Sequence, residues 1–328
     1  MDHPLTDWPA VHGSAFAEMP VLVTGGAGFI GSHLVAALKT LGARVAVLDD
    51  LSAGEAANLP TGCKLIQGSI HDEAAMQRAV AGVQVVFHLA ALVSVPRSVE
   101  MPADYHRINA GGTFQVLQAA RAARVSRVIY SASSSAYGDT PQLPKHEAMP
   151  ERPRSPYAAT KLAGEQYVRA WASCYDMDAV SLRYFNIFGP RQKADSAYAG
   201  VVAAFARRLL AGERPAVYGD GQASRDFTFV ENAVHANLLA AKREADFGGE
   251  VVNVATGERR TVLELARAMA RLAGRGDLTP EHKPERPGDV THSLADLARA
   301  QQELGYKLLV DFEAGLAATW AWYAKQGR

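Results

Sequence analysis

Along the first half of the chain, short apolar runs bounded by turn residues alternate with longer stretches in which apolar positions recur every third or fourth residue. The runs beginning Val21-Leu22-Val23-Thr24 and Arg44-Val45-Ala46-Val47-Leu48-Asp49, and residues 64–68, 83–91, 127–132 and 179–185, read as strands. Helical spacing follows the first run and fills residues 73–81, 105–123 and 157–174, and a loop is expected after 83–91. Apolar strands separated by helices predict α/β architecture: a doubly wound parallel sheet covered on both faces, with ligands gathered at the carboxyl ends of its strands.

Beyond Asn186 the texture changes. An irregular stretch opens at Gly189-Pro190-Arg191-Gln192, and the pattern then predicts a helix over 201–210, a short strand and turn over 216–221, a helix over 230–242, a strand over 250–254 that rejoins the main sheet, and a helix over 262–272. The expected organisation is a dinucleotide-binding domain over 20–185, rejoined by about 226–256, with a smaller α/β domain from 186–225 and 257–328. Residues 1–19 form an N-terminal extension that either packs on the body or frays.

The first chemistry lies where strand gives way to helix, at Thr24-Gly25-Gly26-Ala27-Gly28-Phe29-Ile30-Gly31. Gly25 and Gly26 allow a tight turn, Gly28 lets backbone approach a pyrophosphate, and Gly31 lets helix and strand pack closely, while free N–H groups at the helix start face phosphate. Asp49 ends the second strand at about the ~20-residue distance expected of a carboxylate that binds the adenosine ribose. Asp49 and the adjacent Asp50 would repel a 2′-phosphate, so NAD is favoured over NADP. Arg44 reads as a solvated edge residue.

The 34 basic and 34 acidic residues cancel, so no global field draws the chain to nucleic acid or an anionic membrane, and an anionic ligand must be met by a local cluster. The two cysteines, Cys63 and Cys174, lie far apart and suggest neither a disulfide framework nor a metal site; no metal is expected. Residues 1–19 lack the apolar core of a signal peptide and no apolar run has spanning length, so a soluble cytoplasmic protein is the default expectation.

Tyr157-Ala158-Ala159-Thr160-Lys161 places a phenol and an ammonium four residues apart on one helix face. A cation near a phenol favours its ionised form and lowers its pKa from about 10. With Ser133 upstream at a strand end, this is a set suited to proton transfer beside a nicotinamide. The glycine turn, Asp49, His88-Leu89-Ala90-Ala91, Asn109, Ser133, Tyr157 to Lys161 and Arg183-Tyr184-Phe185-Asn186 occur in the order of the extended short-chain dehydrogenase/reductase family, which the chain resembles over nearly its whole length. More narrowly it resembles the UDP-hexose 4-epimerases, through residues 184–192, Tyr218-Gly219-Asp220-Gly221, Ser224-Arg225-Asp226-Phe227 and Arg286-Pro287-Gly288-Asp289-Val290.

The resemblance implies a doubly wound (Rossmann) NAD domain, a smaller UDP-sugar-binding domain, and NAD retained through turnover. Tyr157 would take the proton of the sugar 4-hydroxyl, Ser133 would hydrogen-bond the same oxygen, and Lys161 would bind the nicotinamide ribose while depressing the tyrosine pKa. Cofactor contacts implied by it are Gly25, Gly28, Phe29, Ile30, Gly31, Asp49, Asp50, Ser52, Ser69, Ile70, Leu89, Ala90, Ala91, Val93, Asn109, Ser131, Tyr157, Lys161 and Tyr184, with Asn109 supporting the active-site helix or a bound water. Substrate contacts would be Ser133, Ser134, Asn186, Ala199, Val201, Tyr218, Arg225, Arg286, Asp289 and Ser293, the two arginines on the diphosphate and Asp289 on the uridine ribose. Arg225 also has a plainer reading as a surface residue paired with Asp226. His88 reads as a satisfied core histidine.

Two departures from the family pattern bear on specificity. Ser69-Ile70 stands where an Asp-Ile or Asp-Val pair usually contacts adenine. Ser293 stands at a position that limits room beside the sugar's 2-substituent, and its small side chain implies acceptance of UDP-N-acetylhexosamines. Relatives that dehydrate or decarboxylate nucleotide sugars carry an acid after the catalytic Ser/Thr; here Ser134, Ser135 and Ala136 follow Ser133, which argues against those reactions. The alternatives left open are another UDP-sugar conversion, such as uronate epimerisation, and a non-catalytic NAD-binding regulator. Relatives pair through the helices corresponding to 105–123 and 157–174, so a homodimer is expected.

Overall fold

The computed structural model describes residues 4–193, 200–284 and 290–326. In chain order the helices are α1 (Trp8–His12), α2 (Phe29–Thr40), α3 (Glu73–Val80), α4 (Val95–Glu100), α5 (Pro102–Tyr105), α6 (Gly112–Ala122), α7 (Pro156–Tyr175), α8 (Val201–Leu210), α9 (Val230–Lys242), α10 (Val262–Leu272), α11 (Ala298–Leu304) and α12 (Phe312–Gln326). The strands are β1 (Pro20–Thr24), β2 (Arg44–Asp49), β3 (Lys64–Gln67), β4 (Val85–His88), β5 (Arg127–Ser133), β6 (Ala179–Tyr184), β7 (Ile187–Phe188), β8 (Ala216–Tyr218), β9 (Ser224–Arg225), β10 (Thr228–Phe229), β11 (Val251–Val254), β12 (Arg260–Thr261) and β13 (Glu281–Lys283).

A seven-stranded sheet carries the order β11-β6-β5-β4-β1-β2-β3, parallel throughout. The order reverses between β1 and β4, and that crevice is where a doubly wound sheet binds its ligand. One face is buried under α2 and α9, with Val21, Leu34, Phe87, Val234 and Leu238 in a common cluster; the other lies under α3, α6 and α7, around Leu22, Val86, Val116, Tyr130 and Trp171. Strands β1, β4, β5, β6 and β11 are therefore buried on both sides, the pattern of a sheet covered twice. The strand expected to rejoin the sheet does so as β11, registered against β6.

A third cluster stands outside this sandwich, built from α8, α10 and α12 around Val202, Phe205, Leu265, Met269, Leu316 and Tyr323. Three two-stranded pairs, β7 with β10, β8 with β13 and β9 with β12, tie it to the chain returning from β6. Buried Asp226 supplies the knot: its carboxylate accepts from Thr256 N–H at 2.9 Å, Thr256 Oγ1 at 2.6 Å, Gly257 N–H at 3.0 Å and Ala295 N–H at 3.3 Å.

Two local expectations are revised. The helix expected over 105–123 is broken by a π-type turn at His106–Gly111, and the loop expected after β4 holds α4 and α5, each opened by a proline in its first turn. Of the two courses left open for the N-terminal segment, its described residues take packing on the body. Trp8 and Phe16 are buried in the α2/α9 core, and the Glu231 carboxylate accepts from Leu5 N–H at 2.9 Å and Thr6 N–H at 2.8 Å.

Candidate active site

The glycine turn sits at the carboxyl end of β1 and is closed by contact. A Cβ on Gly31 would lie 2.2 Å from the Gly25 carbonyl oxygen, and one on Gly25, at φ +69°, would lie 2.7 Å from the Ala90 nitrogen. Backbone therefore meets backbone at the start of α2, leaving the first-turn N–H groups of half-buried Phe29 and Ile30 with no intrahelical acceptor. Asp49 is only 7% exposed, and its two oxygens accept from Ala27 N–H and Leu51 N–H, each at 2.9 Å. Burial raises its pKa, the two backbone hydrogen bonds opposing this, and each oxygen keeps acceptor capacity for a ribose hydroxyl. Asp50 is turned into its own loop, accepting from Ser52 N–H at 2.9 Å and Ser52 Oγ at 2.5 Å. A turn bare of side chains, a helix N-terminus and an acid at the end of β2 fit the pyrophosphate and adenosine ribose of NAD.

Around that crevice the other cofactor candidates divide. Leu89, Ala90 and Ala91 follow β4 and are half-buried, whereas Val93 is 72% exposed. Ile70 is buried against the α6 N-terminus, where a Cβ on Gly112 would lie 2.2 Å from Ile70 Cδ1, and Ser69 Oγ accepts from His71 N–H at 3.2 Å. Asn109, fully buried in the π-type turn, accepts from Leu92 N–H at 2.8 Å and donates to the Leu92 carbonyl at 3.0 Å and to Thr160 Oγ1 at 3.2 Å. It ties the segment after β4 to α7. The Tyr184 hydroxyl accepts from Asn237 at 2.6 Å and shares a hydrogen bond with Ser131, and burial pushes its pKa up to about 12. His88 bridges Thr24 Oγ1 at 2.8 Å and Thr113 Oγ1 at 3.1 Å; burial, then the charge of Lys161, lowers its pKa to about 3, so it is a neutral core histidine as expected.

Ser133 ends β5 and Tyr157 stands in the first turn of α7, near enough for the serine hydroxyl to favour the ionised phenol. Helix α7 starts there because Ser155 caps it, accepting from Ala158 N–H at 3.1 Å, with Pro156 in the first turn. One turn on, Lys161 is buried with its Nζ 4.4 Å from the Tyr130 ring centroid. The expectation that Lys161 depresses the phenol pKa is corrected: burial raises the pKa of Tyr157, Ser133 opposes the rise, and Tyr105 adds to it. Burial lowers Lys161 itself to about 7, with Glu165 opposing. Desolvation is the largest of these effects on the phenol, and Lys161 is not among them.

Sequence reasoning overlooked what stands behind this pair. Glu165, a further turn along α7, receives fully buried Arg183 in a two-pronged pair at 2.9 and 2.6 Å, and Glu151 meets the same guanidinium at 2.9 Å. The available signal was the four-residue spacing from Tyr157 to Lys161 to Glu165.

On the far side of the crevice, Asn186 adopts φ +38° and donates to the Asp226 carbonyl at 3.1 Å and to Ser293 Oγ at 3.5 Å. Ser293 is buried, held by its N–H to the Ser224 carbonyl at 2.9 Å. Half-buried Arg225 donates to the carbonyls of Ser224 at 3.0 Å and Thr291 at 3.2 Å; pairing with Asp226 does not occur, because that acid faces Thr256, Gly257 and Ala295. Ser134 is half-buried beside Ser133, Val201 opens α8, and Tyr218 ends β8. Ala199, Arg286 and Asp289 lie outside the described residues.

The sheet order, the turn at its switch point and the Ser133, Tyr157, Lys161 set define a dinucleotide enzyme of the extended short-chain dehydrogenase/reductase class. The chain belongs to the NAD dependent epimerase/dehydratase family, whose sequence profile matches residues 21–255. It is 41% identical over 308 residues to a UDP-glucose 4-epimerase of Mycolicibacterium smegmatis, covering 92% of this chain and 97% of that one. Among solved structures, it is similar to a UDP-N-acetylglucosamine 4-epimerase of Methanobrevibacter ruminantium in complex with UDP-N-acetylmuramic acid, at TM-score 0.90 and 38% identity, covering 94% of this chain and 99% of that one. A Thermus thermophilus UDP-glucose 4-epimerase in complex with NAD aligns at TM-score 0.85 and 36% identity, covering 93% and 99%.

Proposed function

We propose that this protein interconverts the C4 epimers of UDP-hexoses, UDP-glucose with UDP-galactose and their N-acetylated counterparts, through a 4-keto sugar. The observation that carries the reading is the placing of Ser133, at the end of β5, against Tyr157, in the first turn of α7, supported by the relatives' names. NAD held by that turn and Asp49 supplies reversible oxidation at the sugar C4.

Tyr157 removes the proton of the 4-hydroxyl, and Ser133 holds the same oxygen in line. The 4-keto sugar turns over, and Tyr157 returns the proton to the oxygen on the other face. Ser134 and Ser135, which follow Ser133, are hydroxyls that neither accept nor supply the further proton that dehydration demands. Lys161, one turn on from Tyr157 along α7, would hold the nicotinamide ribose.

Asn186, Arg225, Tyr218, Val201 and Ser293 line the side from which the UDP-sugar enters, and Arg286 with Asp289 complete its diphosphate and ribose contacts. The smaller lobe is the UDP-sugar domain, and pairing through α6 and α7 makes a cytoplasmic homodimer. No helix among the described residues is long and apolar enough to cross a membrane.

The test is incubation of purified protein with UDP-glucose, UDP-galactose, UDP-N-acetylglucosamine and UDP-glucuronate, chromatography of the products, and identification of NAD released on denaturation. C4 epimers of the hexoses are expected. Turnover of UDP-glucuronate alone would replace this reading with uronate epimerisation, and tight NAD binding with no turnover would make the protein a regulator.

A further inference from the structure

The short turn after β5 sets a second hydroxyl against Ser133. Ser135 reaches the Ser133 oxygen twice, through its Oγ at 2.9 Å and its N–H at 3.2 Å. A serine hydroxyl has two acceptor lone pairs and one proton to give. The N–H of Ser135 can only donate, and when its hydroxyl donates as well both lone pairs are engaged and Ser133 has only its O–H to offer. The side chain it meets is the phenol of Tyr157.

The turn itself is firmly placed. Gly138, at φ +63°, donates its N–H to the Ser135 carbonyl at 3.2 Å, and Arg152 N–H donates to the Ala136 carbonyl at 2.8 Å. A Cβ on Gly138 would lie 2.2 Å from the Arg152 oxygen, so this turn and the segment leading into α7 are fitted to one another.

We propose that Ser135 is a positioning residue that holds Ser133 as a hydrogen-bond donor, aimed at the Tyr157 phenol and at the sugar 4-oxygen. This rests on the epimerase reading. A donor aimed at these oxygens stabilises them when they carry charge, as phenolate before proton removal and as alkoxide during it. Were Ser133 free to rotate, it would equally accept from the phenol and stabilise the neutral acid, the wrong state for a base. The hydroxyl of Ser135 thus orders a proton without itself exchanging one with the sugar.

Ser135→Ala removes the hydroxyl donor and keeps the backbone N–H; Ser135→Thr restores a hydroxyl. The full-length protein labelled with 13C at tyrosine Cζ is titrated by NMR between pH 7 and 11, the Tyr157 signal being identified by its loss in Tyr157→Phe. In Ser135→Ala the ratio of phenolate to phenol at a given pH is expected to fall about tenfold, and kcat to fall about tenfold with KM unchanged, a hydrogen bond to a charged oxygen being worth roughly one pKa unit. Ser135→Thr is expected to recover both.

An unchanged phenolate fraction would overturn the proposal, as would an increased one, which would show Ser133 donating to Ser135. A loss accompanied by a lower melting temperature that Ser135→Thr does not recover would also overturn it, leaving Ser135 a structural residue of the turn. If the unaltered protein turns over no UDP-sugar, the epimerase reading fails by itself, while the titration still decides what Ser135 does to Tyr157.

Discussion

The Lys161 ammonium lies 4.4 Å from the centroid of the Tyr130 ring, and the Tyr130 hydroxyl donates to the carbonyl of that same lysine at 3.1 Å. One buried aromatic on β5 therefore holds both ends of a residue on α7. Close approach of helix to strand permits this: a Cβ on Gly164 would stand 2.3 Å from the Tyr130 oxygen. An ammonium on an aromatic face is attracted by the ring quadrupole, and the attraction grows once water is excluded.

Tyr130 is expected to separate two effects. Tyr130→Phe keeps the ring and loses one hydrogen bond, for about 1 kcal/mol of stability and little change in kcat. Tyr130→Leu removes the ring face, leaves Lys161 without its cradle, and should lower kcat about tenfold, taking the cation–π interaction as roughly 1–2 kcal/mol. Urea unfolding and steady-state kinetics on UDP-galactose read the two quantities.

Tyr157→Phe should leave a folded protein that still releases NAD on denaturation, because the phenol hydroxyl is the only group removed. Loss of the general base is expected to reduce kcat by about 10²- to 10⁴-fold. Near-normal turnover would remove Tyr157 from that role.

The Arg183 pair with Glu165 is a stability device at full burial. Arg183→Met leaves the Glu165 carboxylate buried and uncompensated, which should cost about 3–5 kcal/mol by chemical denaturation. Glu165→Gln, which retains an oxygen acceptor for the guanidinium, should cost less. A loss under 1 kcal/mol for Arg183→Met, on the scale of roughly 0–1 kcal/mol measured for exposed pairs, would mean that water reaches the pair.

Folding should weaken in mild acid. Burial lowers the pKa values of His12, His33 and His235 to about 4 and of His88 to about 3, with Lys242, Arg191 and Lys161 contributing. For a base whose folded pKa is depressed, the unfolded chain binds more protons, so the stability is complete above about 6.5 and declines as pH falls toward the folded values. His12 Nε2 and His235 Nδ1 are 3.1 Å apart, so the N-terminal arm is expected to release first. Urea midpoints between pH 7.5 and 4.5 should drop, and His12→Gln should flatten the slope.

Ser293 should govern the space beside the sugar's 2-substituent. Ser293→Tyr is expected to lose turnover of UDP-N-acetylglucosamine while retaining turnover of UDP-galactose. Unaltered activity on the N-acetylated sugar would end that role for the position.

Much of the fold was legible because its signals are local. Strands buried on both faces read as continuous apolar runs, the glycine turn follows β1 directly, and the four-residue spacing from Tyr157 to Lys161 has one meaning once the segment is a helix. Elements without such a signal were missed. Helices α4 and α5 are too short to show a period, and the π-type turn at Asn109 sets a buried amide against Leu92 and Thr160 from two other segments, which no local pattern announces.

By itself the sequence determined the α/β order, the NAD-type turn with Asp49, and the presence of a serine, a tyrosine and a lysine fit for proton transfer. Those follow from residue type and spacing along the backbone. The tertiary structure alone decided their electrostatics: the phenol pKa is raised instead of depressed, and Lys161 rests on Tyr130 with its pKa near 7. It also decided that the N-terminal segment docks through Glu231 and His235, and that Ser133 is met by Ser135. Desolvation and hydrogen-bond direction depend on what the rest of the chain brings to a group, and that is set only when the sheet, the helices and the smaller lobe close around it.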